Sequence, residues 1–68
     1  QTRFERTGSV PRQPIRLSAN HWRVFVATSD PGSVVQIAAR TVLAEVEVIE
    51  ALEFLIGHGL VRRVPDSA

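Results

Sequence analysis

The sequence predicts one small, mainly α domain with three helices and a small β-hairpin or wing. The chain has 68 residues, which suffices for one hydrophobic core. Apolar residues recur with helical spacing in three successive segments, and a short strand-like segment follows the third. The predicted domain covers residues 15–64. An extended basic arm at 1–14 precedes it, and a short tail at 65–68 follows it.

The first 14 residues, QTRFERTGSVPRQP, mix arginine, glycine, serine and two prolines. They show neither helical nor strand periodicity. We therefore expect an arm that stays outside the core and becomes ordered only when a partner offers acidic and apolar surface. The candidate partner-binding residues of this arm are Phe4, Arg3, Arg6 and Arg12.

The first helix is predicted at residues 19–27, with Ser18 as its N-cap. Trp22, Phe25 and Val26 have the i, i+3, i+4 spacing of one helix face. An aromatic side chain on such a face is usually buried. We therefore expect Trp22 to belong to the core rather than to a ligand site.

Two further helices follow, at residues 34–41 and 45–58. Ser33 is the N-cap of the second helix, and Gly59 is well placed to end the third. The residues expected to face the core are Val34, Ile37 and Ala38 in the second helix and Val48, Ala51, Leu52 and Leu55 in the third. The third helix carries the strongest helical pattern in the chain.

Two short segments are predicted to be strands. Residues 15–17 alternate apolar and polar side chains, and residues 60–64 form a second strand that Pro65 ends. These segments account for the expected hairpin or wing.

The composition argues against several classes of site. The chain has no cysteine, so it forms neither disulfides nor Cys-rich zinc sites, and a cytoplasmic location is the default expectation. Because no apolar run approaches the roughly 20 residues that span a bilayer, we expect no membrane insertion. His21 and His58 lack carboxylates at ligand spacing, and no catalytic motif is present. We therefore expect no metal, no cofactor and no enzymatic activity.

Charge is distributed unevenly along the chain. Residues 1–23 carry five arginines and one glutamate, whereas residues 24–68 carry three arginines and six acidic residues. A basic arm thus precedes an acidic body. Because the chain starts at Gln1 rather than Met, we also expect it to be part of a longer polypeptide.

The segment SVVQIAARTVLAEVEVIEALEFLIGHGLVRR, residues 33–63, resembles the second half of a bacterial winged helix-turn-helix domain. The resemblance rests on Ile37, Ala38, Leu43, Leu52, Leu55 or Ile56, Gly59, Leu60 and Val61. The preceding LSANHWRVF, residues 17–25, is similar to the opening helix in the winged-helix part of PATAN-type (PatA N-terminal-like) bacterial signalling modules. The match covers roughly residues 17–64. It implies a three-helix core with a wing.

The sequence departs from this pattern in two places. Val42 stands in the turn where many such domains have glycine, so we expect a slightly reshaped turn. In DNA-reading members, the exposed side of the third helix carries basic or amide side chains. Here that side carries Glu47, Glu50, Phe54 and Gly57, and carboxylates are repelled by phosphates.

The sequence therefore favours a non-catalytic docking or assembly module of a larger bacterial regulatory or multi-subunit protein. The partner is expected to be another protein or a second copy of the chain. The candidate contact residues of the body are Phe54, Glu47, Glu50, Val35 and Ile49. The alternative is a DNA-binding transcriptional regulator that uses the arm arginines together with Arg40, Arg62 and Arg63. Nucleic acid is thus the less favoured partner.

Overall fold

A computed structural model describes residues 2–8 and 15–65. In these residues three helices pack with a two-stranded antiparallel sheet. The elements are β1 (Arg3–Arg6), α1 (Ala19–Ala27), α2 (Val34–Thr41), α3 (Glu45–Gly57) and β2 (Val61–Val64). The prediction of a mainly α domain with three helices and a small sheet is confirmed.

The helix starts follow the predicted capping residues. The Ser18 hydroxyl accepts a hydrogen bond from the His21 backbone N–H at the start of α1. At α2, Ser33 and Gln36 form a reciprocal capping box, which satisfies two backbone donors. The third helix ends at Gly57, one residue before its predicted end, and Gly59 follows with a positive φ of 74°. Glycine adopts this backbone conformation without steric cost.

The sheet joins the two ends of the described chain. Strands β1 and β2 pair with a register that runs from Arg3 opposite Val64 to Arg6 opposite Val61. The sheet is therefore not the expected hairpin. Residues 15–17, predicted as a strand, have no regular secondary structure, although Ile15 and Leu17 pack against the core.

Phe4 is a core residue, which corrects the expectation that it is a free anchor on an arm. Its side chain is only 7% exposed. Its backbone N–H donates to the Gly32 carbonyl at 2.8 Å, and the Gly32 N–H donates back to the Phe4 carbonyl at 3.3 Å. Strand pairing and this bridge together hold Phe4 over the helices, so part of the basic segment belongs to the fold.

The core lies between α3, the sheet and the other two helices. The predicted α3 stripe is confirmed, since all four of its residues are buried. Ile37 is buried in α2, while Val34 and Ala38 are partly buried against the core. The buried apolar residues are Phe4, Val24, Ile37, Val48, Ala51, Leu52, Leu55, Leu60 and Val61. In the described part of the chain, no helix has the length and apolar character needed to cross a membrane.

Trp22 lies at the surface, so its predicted place in the core is wrong. It is 56% exposed, whereas Val24 is fully buried. The inner stripe of α1 runs through His21, Val24, Phe25 and Thr28, which also have helical spacing. Because the ends of this stripe are polar, the sequence pattern favoured a face on which Phe25 packs against the core but Trp22 and Val26 are exposed.

Candidate protein-interaction surface

The outer side of α3 combines apolar and acidic side chains. Val46 is 72% exposed and Ile49 is 43% exposed, and Glu50 is also exposed. Successive helical residues are rotated by about 100°, so Val46 and Glu50 lie about 160° around the helix from the buried Val48. We call Val46, Ile49 and Glu50 the α3 face.

The turn before α3 adds a further exposed apolar residue. Val42 has φ 59° and ψ 33°, the left-handed conformation, and is 90% exposed. This conformation costs a residue with a Cβ roughly 1–2 kcal/mol, and a β-branched side chain rarely adopts it. The turn thus has a backbone conformation that is typical of glycine, although the residue there is valine. The strain lies four residues before Val46.

Apolar grooves border the side of the molecule that carries Val35 and Ile49. One groove lies between β1 and the start of α2, where the exposed Val35 lines it together with Phe4 and Val34. A smaller groove lies between Phe4, Val34 and the Ile49 side of α3. Because the grooves share two lining residues, apolar surface continues from α3 to α2. The structure thus places the predicted candidates Val35 and Ile49 on connected surface.

Phe54 contributes to the packing of α3 rather than standing free at its surface. It is half-buried, with the His21 ring stacked at a centroid distance of 4.1 Å and the His58 ring at 4.5 Å. The His21 Nδ1 atom is buried without a hydrogen-bond partner. Glu47 is exposed, but its carboxylate accepts a hydrogen bond from the Asn20 amide of α1 at 3.3 Å. Of the predicted α3 candidates, Glu50 and Ile49 remain directed outward.

Arg40 and Arg62 make intramolecular ion pairs. Arg40 donates to the Asp30 backbone carbonyl at 2.7 Å and pairs with the Asp30 carboxylate at 3.5 Å. Arg62 pairs with Glu5 across the sheet. These contacts connect α2 to the turn after α1, and β2 to β1. Two of the three body arginines considered for phosphate binding therefore already have an acidic partner within the chain.

The other arginines differ in their contacts. Arg6 lies 4.1 Å above the centre of the Phe25 ring and donates a hydrogen bond to the Phe25 carbonyl at 3.0 Å, so it packs against α1. Arg3 and Arg63 are exposed. Arg12 lies outside the described residues.

A second exposed surface lies on α1, where the sequence pattern had predicted buried side chains. Trp22, Arg23 and Val26 are exposed on the side of α1 that faces away from Val24; we call these three residues the α1 face. An open groove of about 400 Å³ runs beside it, bounded by Ala27, Arg40 and Thr41. The spacing of His21, Val24, Phe25 and Thr28 was the available indication that Trp22 faces outward.

The described residues contain no group of three or more histidine, aspartate or glutamate side chains placed to hold a metal ion. The described residues expose apolar side chains beside charged ones on α1 and α3. No protein-family model, curated protein or solved structure matches the chain.

Proposed function

We propose that the chain is a non-catalytic protein-interaction module with a winged-helix-like fold. Its α3 face docks a partner segment that combines basic and apolar side chains. The observation that carries this proposal is the exposure of Val46 and Ile49 beside Glu50 on one side of α3. The module acts by docking or assembly within a larger regulatory or multi-subunit protein.

Hydrophobic burial supplies the affinity in this proposal. Val42, Val46 and Ile49 are among the large apolar residues that remain exposed in the fold, and exposed apolar surface with a polar rim is typical of interaction sites. The strained backbone at Val42 also supports the proposal that this surface is an interaction site. Strain of this kind often persists at functional sites, and here it holds an apolar side chain in solvent.

Charge supplies the selectivity. Helix α3 carries four glutamates and no basic residue. Glu45 and Glu47 lie in its first turn, where carboxylates complement the helix dipole in the absence of a side-chain N-cap. Glu50 lies further along and faces outward, so it is available to a basic partner. Complementary charges steer association and exclude wrong partners.

DNA binding has weaker support as an alternative. In the winged-helix resemblance, α3 corresponds to the helix that enters the major groove, and its glutamates would be repelled by the phosphates. Arg40 and Arg62, which the alternative needs for phosphate contacts, pair with Asp30 and Glu5. A protein partner therefore agrees better with the geometry.

The proposal can be tested by fluorescence anisotropy with two labelled helical peptides of equal length. One peptide carries leucine and arginine, and the other carries leucine and glutamate. We expect the chain to bind the basic peptide and Ile49→Ser to weaken this binding by about tenfold, equivalent to 1.4 kcal/mol. Glu50→Lys should weaken it further in low salt, where exposed charges are less screened.

Val26→Ser is the matched control, because Val26 is 45% exposed, close to the 43% of Ile49, and lies on α1. At chain concentrations at which the wild type is monomeric, it should leave peptide affinity unchanged. Equal binding of both peptides, or equal loss with Val26→Ser and Ile49→Ser, contradicts the proposal. Sequence-selective binding to duplex DNA that improves with Glu50→Gln would favour the DNA-binding alternative instead.

A further inference from the structure

The chain carries two exposed apolar surfaces of opposite charge. Helix α1 has the sequence ANHWRVFVA, with an arginine and no acidic residue, whereas α3 has the sequence EVEVIEALEFLIG, with four glutamates and no basic residue. The α1 face exposes Trp22 and Val26 beside Arg23, and the α3 face exposes Val46 and Ile49 beside Glu50.

Both faces point away from the core of the molecule. The inner side of α1 contacts α3 through the Asn20–Glu47 hydrogen bond and the stacked rings of His21 and Phe54. Trp22 and Val26 lie about 160° around α1 from the buried Val24, on the side away from α3. Because Val46 and Glu50 likewise point away from the core, the two faces of one molecule cannot contact each other.

We infer that the α3 face of one molecule docks on the α1 face of a second copy of this chain. This inference rests on the proposed function and names the partner of the same surface. Arg23 and the apolar side chains Trp22 and Val26 match the acidic and apolar character that the α3 face requires of its partner. Thr41 and Ala27 bound the groove beside the α1 face, which gives the ridge formed by Val46 and Ile49 a concave surface to enter.

Charge selects this arrangement over symmetric ones. Pairing two α3 faces would bring Glu50 near glutamates of the second copy, and pairing two α1 faces would bring Arg23 near arginine. Like charges across an interface are unfavourable, whereas the head-to-tail arrangement places opposite charges together. Such a heterologous interface leaves one unused face at each end, so association continues into a ring or a linear assembly.

Sedimentation velocity of the 68-residue chain over a range of concentrations tests the inference. We expect the average mass to rise with concentration and to fall at 1 M salt, where charges are screened within about 3 Å. The single tryptophan gives a second readout, because its burial at the interface should shift its fluorescence emission to shorter wavelength.

Arg23→Glu and Val46→Glu each remove one face and should each give a monomer, and their two altered faces repel each other because both are acidic. When the two variants are mixed, the intact α3 face of Arg23→Glu meets the intact α1 face of Val46→Glu. The mixture should therefore form a dimer that does not grow further. Arg16→Glu is the matched control, since it makes the same charge change at an exposed arginine that belongs to neither face and should associate like the wild type.

A wild-type chain that stays monomeric at all concentrations would overturn the inference. So would association that survives either face variant, or two monomeric variants that fail to pair when mixed. If the basic peptide still binds the α3 face of a monomeric wild-type chain, the self-assembly inference alone fails. If neither the peptide nor a second copy engages that face, the proposed function fails as well.

Discussion

Phe4 and Trp22 are two large aromatic residues whose surroundings differ sharply. Phe4 lies in a four-residue strand and is 7% exposed, whereas Trp22 lies in a nine-residue helix and is 56% exposed. Phe4 is buried because β1 pairs with β2 and bridges to Gly32. Trp22 is exposed because α3 and the core lie on the other side of α1. The position of distant elements, rather than the apolar character of the residue, decides burial in both cases.

The largest expected effect on the free energy of unfolding is at Phe4. Phe4→Ala should lower the free energy of unfolding by about 3–5 kcal/mol, the usual range for truncating a core phenylalanine. For so small a domain this is a large part of the total stability, and urea denaturation would measure it. Phe4→Leu, which keeps most of the apolar volume, should cost less. A loss below about 1 kcal/mol would place Phe4 outside the core.

Phe4 and Trp22 also show which features of the fold the sequence could predict and which it could not. The bounds of α1 and α2 match the predicted ranges, and α3 differs by one residue, because caps and helical spacing are local properties. Strand β1 was missed because its partner lies more than 50 residues away in sequence, as the Arg62–Glu5 separation of 57 shows. No local pattern reports such a pairing.

The candidate surface likewise contains residues that the sequence predicted and residues that it did not. Glu50, Ile49 and Val35 were predicted from their positions on the helices, and the structure shows them exposed. Val42 and Val46 were not predicted to be part of the surface. Val46 has the same angular separation from Val48 as Glu50, so helical spacing could have predicted its exposure. The exposure of Val42 depends on the left-handed turn, which helical spacing does not predict.

At Val42 we expect a change in the free energy of unfolding of intermediate size. This residue is more exposed than Trp22, but its backbone is strained. Val42→Gly should raise the free energy of unfolding by about 1 kcal/mol, because glycine adopts φ 59° without a Cβ clash. It should also weaken binding of the basic peptide by removing an exposed apolar side chain. Thermal denaturation and anisotropy would measure the two effects.

Val42→Ala is the appropriate control for this substitution. Alanine keeps the Cβ and therefore much of the strain, so it should stabilise less than glycine while also weakening peptide binding. If both variants bind the peptide like the wild type, Val42 does not belong to the docking surface.

The smallest expected effect on the free energy of unfolding is at Trp22. Trp22→Ala should change the free energy of unfolding by less than about 1 kcal/mol, as is usual for a surface position. The same substitution should abolish the concentration-dependent rise in mass. A loss of several kcal/mol on unfolding would show that the indole contributes to the core, and the contrast with Phe4 would then fail.

The pairing of β1 with β2 also determines the order in which the domain is completed during synthesis. The first strand leaves the ribosome with Phe4 uncovered, and its partner is added only after all three helices have been made. Local helical contacts form quickly, whereas contacts between distant segments form late. The nascent chain therefore cannot complete its core until residues 61–64 have been added, and until then strand β1 lacks its partner in the sheet.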